Sequence, residues 1–66
     1  MDIVVNGARQ ETPTGATLLD LLETLRLNPG TVVVERNGHV VERATYATQV
    51  LAEADRLEIV RFVGGG

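Results

Sequence analysis

The 66-residue sequence contains no cysteine, no lysine, no serine and no tryptophan. Without cysteine there is no disulfide and no thiolate metal site, so a single domain of this length must be stabilised by packing alone. The absence of serine and cysteine, together with a single histidine, excludes a hydrolytic catalytic triad. We therefore expect a protein that is not an enzyme, in which His39 is a solvated turn residue rather than a metal ligand.

Positive charge is also scarce, because the chain has six arginines and nine acidic residues and its net charge is -3. Nucleic-acid binding needs clustered positive charge, so we expect no nucleic-acid partner. An acidic domain of this kind suits a basic protein surface better. No apolar run approaches the roughly 20 residues that span a bilayer, and no signal peptide opens the chain. We expect a cytoplasmic protein without membrane contact.

Two Asn-Gly pairs, at positions 6–7 and 37–38, predict two β-hairpins, because both residue types tolerate the positive φ of a tight turn. The first hairpin joins residues 3–5 to a polar return strand at residues 8–12, which suits a sheet edge. The second joins residues 31–35 to residues 39–41. The run Val32-Val33-Val34 predicts a strand that is buried on both faces.

A helix is predicted between the hairpins, at residues 18–26. Thr17 is its expected N-cap and Asp20 completes a capping box. Leu18, Leu21, Leu22 and Leu25 recur at helical spacing and form one apolar face, and Pro29 prevents continuation of the helix.

The last strand is predicted at residues 57–63, with Leu57 and Ile59 on one face and Glu58, Val60 and Phe62 on the other. Val60 and Phe62 are either covered by other elements or form an exposed contact patch. Before this strand, Tyr46, Val50 and Leu51 are expected to hold a short helical turn against the sheet. The whole pattern predicts an α+β fold, with one main helix across one face of a mixed sheet of four to five strands. The first and last strands should be neighbours at its centre.

The sequence ends in Gly64, Gly65 and Gly66. Glycine has no side chain to bury and loses more conformational entropy on ordering than any other residue, so a fold gains nothing from three of them here. A narrow channel in a partner accommodates such a segment, because it is thin and adopts any backbone angle. We expect a domain at residues 1–63 followed by a flexible tail at residues 64–66, whose terminal carboxylate is the reactive group. A frayed end is the simpler alternative.

Taken together, several short motifs resemble the ThiS sulfur carrier proteins of thiamine biosynthesis. The resemblance covers the whole chain and rests on the order of Val5-Asn6-Gly7, Gly15-Ala16-Thr17-Leu18, Asn37-Gly38 and Asp55-Arg56-Leu57-Glu58-Ile59-Val60 before a Gly-Gly end. It implies the ubiquitin-like β-grasp fold. It also implies that Gly66 is the modified residue, that Gly65 is its partner in the diglycine motif, and that Gly64 adds reach.

The resemblance further implies a mechanism in which partners do the chemistry. A ThiF-type enzyme uses ATP and magnesium to adenylate the Gly66 carboxylate, and a sulfur donor such as a cysteine desulfurase converts the adenylate to a thiocarboxylate. A ThiG-type thiazole synthase then accepts the sulfur. No cofactor is expected on this chain itself, which has no glycine-rich phosphate loop that opens a helix.

We expect the partner interface to include Glu58, Val60, Phe62 and Val63, next to the tail. Other readings remain open at this point. A MoaD-like carrier for molybdopterin or a carrier for tRNA thiolation would use the same chemistry with another acceptor. A ubiquitin-like modifier of lysines or a plain interaction module with an inert tail would not form a thiocarboxylate. The sequence leaves open the final sulfur acceptor, the sulfur donor and the oligomeric state.

Overall fold

The computed structural model describes residues 1–62, and residues 63–66 lie outside the described part of the chain. The described residues form five strands and one α-helix. In chain order these are β1 (Asp2–Val5), β2 (Ala8–Glu11), α1 (Leu18–Thr24), β3 (Val32–Arg36), β4 (His39–Val40) and β5 (Arg56–Arg61), with short 3-10 turns at Pro29–Thr31 and Arg43–Thr45.

All five strands belong to one mixed sheet with the order β2-β1-β5-β3-β4. The first and last strands run parallel, with Val5 beside Leu57, and β5 pairs antiparallel with β3 on its other side. The polar strand β2 lies at one edge. The expected α+β class, the central pairing of the first and last strands and the edge position of the polar strand are therefore confirmed.

The asparagines of the two hairpin turns have a second role, because their side chains bind β5. Asn6 and Asn37 adopt φ values of 50° and 51°, as the predicted tight turns require. The Asn6 side chain donates to the carbonyl oxygen of Ile59 (3.1 Å) and accepts from the Ile59 N–H (2.7 Å). The Asn37 side chain accepts from the Arg56 N–H (2.9 Å). Each turn is thus tied to the central strand.

Helix α1 begins with the predicted capping box. The Thr17 hydroxyl accepts from the Asp20 N–H at 3.1 Å, and the Asp20 carboxylate accepts from the Thr17 N–H at 2.9 Å. The helix ends at Thr24, two residues earlier than expected, because Arg26 has a positive φ of 59°.

A Schellman motif closes this end of the helix. The Arg26 N–H donates to the carbonyl oxygen of Glu23 at 3.0 Å, and the Leu27 N–H donates to that of Leu22 at 2.9 Å. Arg26 therefore occupies the position at which helices favour glycine.

The core lies between α1 and one face of the sheet. Leu18, Leu21 and Leu22 of the helix pack against buried residues of the sheet and of the segment before β5, namely Ile3, Val32, Val34, Leu57, Ile59, Tyr46 and Leu51. Tyr46 and Leu51 hold the segment around the second 3-10 turn as expected, but Val50 is exposed. The prediction that β3 is buried on both faces is wrong, because Val33 is 41% exposed. The other face of the sheet has no covering element among residues 1–62.

Candidate functional site

The outward face of β5 carries the residues that the sequence nominated as an interface. Leu57 and Ile59 point into the core, whereas Glu58 and Val60 are exposed on the opposite face, as the alternation predicted. Val60 is 59% exposed although β5 is the central strand of the sheet. Of the two alternatives for this face, the structure therefore bears out exposure rather than cover by another element, and a contact role for it stays a prediction.

The neighbouring strands extend this patch. Val33 of β3 lies directly opposite Val60, and Glu35 lies opposite Glu58. On β4, Val40 lies opposite Glu35 and is 67% exposed. We call Val33, Glu35, Val40, Glu58 and Val60 the open sheet face. Its two carboxylates face one another across an antiparallel pair, an arrangement that disfavours the isolated sheet and is relieved by a basic partner.

Phe62 lies just beyond β5, where the chain leads towards the glycines. Its N–H donates to the carbonyl oxygen of Thr31 at 3.0 Å, so the backbone is held up to this residue by the end of the 3-10 turn that precedes β3. Its side chain is 43% exposed. It lines a surface groove together with Arg26, Asn28, Thr31 and Arg61. The predicted site residues Val63, Gly64, Gly65 and Gly66 lie outside the described residues.

The beginning of β5 has a buried polar cluster instead. Asp55, only 5% exposed, accepts hydrogen bonds from the Ala52 N–H (2.8 Å), the Asn37 side chain (3.0 Å) and the Arg36 guanidinium (2.8 Å). Burial acts to raise the pKa of Asp55, but these hydrogen bonds and the charge of Arg36 together outweigh it and lower the pKa below its usual value. This cluster joins β3 and the second turn to the start of β5.

The described residues contain neither a metal-binding cluster nor a membrane-spanning helix. Residues 1–62 contain no group of three or more His, Cys, Asp or Glu side chains that could hold a metal ion. His39 is exposed at the start of β4, as expected for a turn histidine. No helix in this part of the chain is long and apolar enough to cross a bilayer.

Sequence reasoning missed Val33, Glu35 and Val40 as members of the open sheet face. A run of three valines does not show which of them faces outwards. The signal was available only in the pairing of β3 with β5, which sets Val33 beside Val60, a residue whose outward direction the sequence had indicated. Such pairing depends on contacts between residues far apart in the chain.

Similarity to known proteins identifies the family of this chain. The model of the ThiS family matches residues 3–66. The chain belongs to the ThiS family. Among ThiS relatives, the sulfur carrier protein ThiS of Bacillus subtilis is 42% identical over 50 residues, which is 76% of this chain and 76% of that protein.

Solved structures agree with the fold of a ThiS protein. A crystal structure of the thiamine biosynthesis protein ThiS from Geobacter metallireducens covers all of both chains with a TM-score of 0.85 and 30% identity. SAMP1 from Haloferax volcanii matches 98% of this chain and 97% of its own with a TM-score of 0.61, and at 20% identity it bears on the fold alone. The expected ubiquitin-like β-grasp fold is confirmed.

Two further relatives of this ThiS-family chain are much longer proteins. The thiazole synthase of Magnetococcus marinus is 47% identical over all 66 residues, and that of Paramagnetospirillum magneticum is 38% identical over the same length. In each case the chain spans only 20% of the relative's length. One part of each of these proteins is thus similar to the whole chain.

Proposed function

We propose that this ThiS-family chain is a sulfur carrier that supplies the sulfur of the thiazole ring in thiamine biosynthesis. The observation that carries the proposal is the family match over residues 3–66, a span that includes the three glycines. The similarity to the Bacillus subtilis sulfur carrier protein supports it. The chain would then be a substrate of other enzymes rather than a catalyst.

The proposed chemistry takes place at the carboxylate of Gly66. One carboxylate oxygen attacks the α-phosphorus of ATP in a ThiF-type enzyme, pyrophosphate leaves, and an acyl-adenylate forms. The terminal sulfur of the desulfurase persulfide then displaces AMP to give an acyl disulfide, and a thiol reductant cleaves the S–S bond with two electrons to leave a thiocarboxylate. Activation is needed because a carboxylate at neutral pH is a poor electrophile. ATP and magnesium are bound by the partner in this scheme, and Gly65 and Gly64 allow the backbone to reach its nucleotide site.

The structure supports the proposal through the path of β5. This strand is paired on both sides, and the Phe62 N–H donates to Thr31 just before β3, so the backbone is fixed as far as Phe62. A partner that binds beside Phe62 therefore meets a surface of fixed geometry. We propose that it binds the open sheet face through Glu58 and Val60 and continues over Phe62 and Val63.

The two thiazole synthases support the choice of acceptor. A carrier and a synthase that handle the same sulfur atom gain from being held together, because linkage raises the effective concentration of one at the other. A segment similar to this chain within a thiazole synthase is consistent with that advantage. We propose a ThiG-type synthase as the acceptor, a ThiF-type enzyme as the activator and a cysteine desulfurase as the source of sulfur.

Intact mass spectrometry tests the proposal. The purified chain is incubated with a ThiF-type enzyme, ATP, magnesium, cysteine, a desulfurase and a thiol reductant, which supplies the two electrons that release the persulfide sulfur as a thiocarboxylate. A mass gain equal to the replacement of one oxygen by sulfur is expected, and it should map to the C-terminal peptide. A matched reaction without desulfurase should stop at the adenylate. A chain that stays unmodified in both reactions, or that becomes attached to lysines of other proteins, contradicts the sulfur carrier function.

A further inference from the structure

The six arginines differ in what they contact. Within residues 1–62, the side chain of Arg9 binds Asp2 (3.0 Å), that of Arg36 binds Asp55 (2.8 Å), and that of Arg43 donates to the carbonyl oxygen of Pro29 (3.0 Å). The side chains of the other three make no hydrogen bond or salt bridge to a described residue; they are Arg26, Arg56 and Arg61.

Two of these three arginines lie together. Arg26 and Arg61 line the groove that also contains Phe62, and Arg61 continues into a second groove beside Leu25 and Leu27. The two grooves share Arg61, and we call them together the arginine groove. Neither part is lined by an aspartate or glutamate, although the chain has nine acids and six arginines. Against an overall negative charge, the surface at the end of β5 is locally positive.

The arginine groove is distinct from the open sheet face. Arg61 follows the inward alternation of Leu57 and Ile59, so it emerges on the helix side of the sheet, beyond the end of α1. Phe62 directly follows the last residue of β5, the strand that carries part of the open sheet face, and it also lines the arginine groove. It therefore adjoins both surfaces.

The backbone of Arg26 adds an independent reason to assign a role to its side chain. Its φ of 59° lies in the left-handed region, which is unfavourable for every residue with a Cβ atom and is usually filled by glycine at this position of a Schellman motif. An arginine is therefore present at a cost in stability, and its side chain makes no polar contact to residues 1–62 that offsets this cost. Backbone strain of this kind is common where a side chain serves binding.

We infer that the arginine groove binds an acidic segment of the protein that acts on the glycine tail, with carboxylates of the partner at Arg26 and Arg61 and an apolar side chain against Phe62 and Leu27. This inference names a partner chemistry for the proposed carrier function and rests on it. Guanidinium groups pair well with carboxylates because their planar donors match two oxygens. The exposed half of Phe62 and the half-buried leucines supply the apolar contact.

The shape of the groove favours a protein segment over a small anion. Small-molecule sites enclose most of the ligand surface, whereas Arg26, Asn28, Arg61 and Phe62 are all exposed here. The two parts of the groove measure about 510 and 430 Å³, which accommodates several side chains. The net charge of -3 makes a nucleic acid the poorer occupant.

A peptide titration tests the groove without any enzyme. The ¹⁵N-labelled chain is titrated at low ionic strength with a capped hexapeptide of alternating glutamate and leucine, with the lysine–leucine equivalent, and with inorganic phosphate. The acidic peptide is expected to shift the amide signals of Arg26, Asn28, Thr31, Arg61 and Phe62. Arg26→Gln and Arg61→Gln should each reduce these shifts, and Arg56→Gln should not. Arg56 is the matched control, because it is the third unpaired arginine and begins the same strand.

Three outcomes of the titration overturn the inference. Shifts that are spread over the surface or centred on Arg56 show that the acidic peptide binds by nonspecific electrostatic attraction and not at the arginine groove. Equal shifts with the lysine peptide show that the arginines are not involved. Equal shifts with phosphate at the same concentration assign the groove to a small anion instead of a protein segment.

Binding to a ThiF-type enzyme provides the second measurement. Each groove variant is expected to weaken the affinity about fivefold and to reduce its dependence on salt, whereas Arg56→Gln changes it less than about twofold. Equal losses for all three variants contradict the inference. A parent chain that is never adenylated contradicts the proposed function, and the peptide titration still decides the groove.

Discussion

The two ends of β5 are held in opposite ways. At its beginning, Asp55 accepts three hydrogen bonds and is almost completely buried, and Asn37 accepts from the Arg56 N–H. At its far end, Phe62 keeps a backbone bond to Thr31, but the Arg61 side chain has no polar partner among residues 1–62. The first end contributes to the stability of the fold, and the second offers its side chains to another molecule. Substitutions at the beginning of β5 should therefore change the free energy of unfolding, and substitutions at its far end should change the affinity for a partner.

The largest expected effect is on adenylation, and it comes from changes at Gly66 that leave the stability of the fold unchanged. Deletion of Gly66, or addition of one residue after it, should abolish adenylation by a ThiF-type enzyme, because the proposed reacting carboxylate is moved. The free energy of unfolding should not change, since glycine has no side chain to pack. ATP–pyrophosphate exchange and urea denaturation measure the two properties. Exchange that persists in either variant contradicts the role of Gly66.

At the beginning of β5, Asp55→Ala should lower the free energy of unfolding by ~3 kcal/mol, because it leaves three donors without their buried, charged acceptor. Asp20→Ala, which removes an exposed capping carboxylate, is the matched control and should cost only ~1 kcal/mol. Urea denaturation measures both. Equal losses for the two variants would mean that the Asp55 cluster adds nothing beyond an ordinary surface carboxylate.

At the far end, Phe62→Ala should reduce affinity for the ThiF-type enzyme roughly thirtyfold, the loss that corresponds to ~2 kcal/mol for an aromatic anchor. Isothermal titration calorimetry gives the affinity, and circular dichroism checks the fold. Val50→Ala is the control, because Val50 is an exposed apolar residue outside both binding surfaces. If Phe62→Ala binds like the parent, Phe62 is not an anchor; if it fails to fold, Phe62 belongs with the core.

Low pH should selectively weaken the Asp55 cluster at the beginning of β5. The pKa of Asp55 is lower in the folded chain than its ordinary value, so the unfolded state takes up the proton more readily. The stability from this group is fully present above the unfolded pKa of about 3.9 and is lost as the pH falls through the folded pKa. Urea denaturation from about pH 6 down to about pH 2, a range that begins above the unfolded pKa and extends well below it, measures the loss. Asp55→Asn should flatten part of this dependence, and a dependence identical to that of the parent would assign it to other carboxylates.

Local patterns predicted much of this fold because local physics determines those parts. The Asn-Gly turns, the Thr17–Asp20 capping box and the alternation of β5 all depend on residues close together in sequence. The outward direction of Val33 and the polar cluster at Asp55 depend on pairing between β3 and β5, which local patterns do not contain. The early end of α1 was missed because Arg26 gives no glycine signal for the left-handed position it occupies.

The smallest expected effect has opposite signs in folding and in binding, and it concerns Arg26. Glycine adopts a φ of 59° without a Cβ penalty, whereas the added freedom of the unfolded glycine chain offsets part of the gain. Arg26→Gly should therefore raise the free energy of unfolding by ~0.5 kcal/mol. Arg26→Gln keeps the Cβ atom and the strain, so its stability should stay near that of the parent.

Both Arg26 variants remove the same charge from the arginine groove, so both should lose the same affinity for the ThiF-type enzyme. A variant that is more stable yet binds less well distinguishes a residue kept for binding from one kept for folding. Urea denaturation and calorimetry on the parent and the two variants measure both quantities. If Arg26→Gly instead loses stability, the Arg26 side chain supports the fold, and the strain at this position needs no partner to explain it.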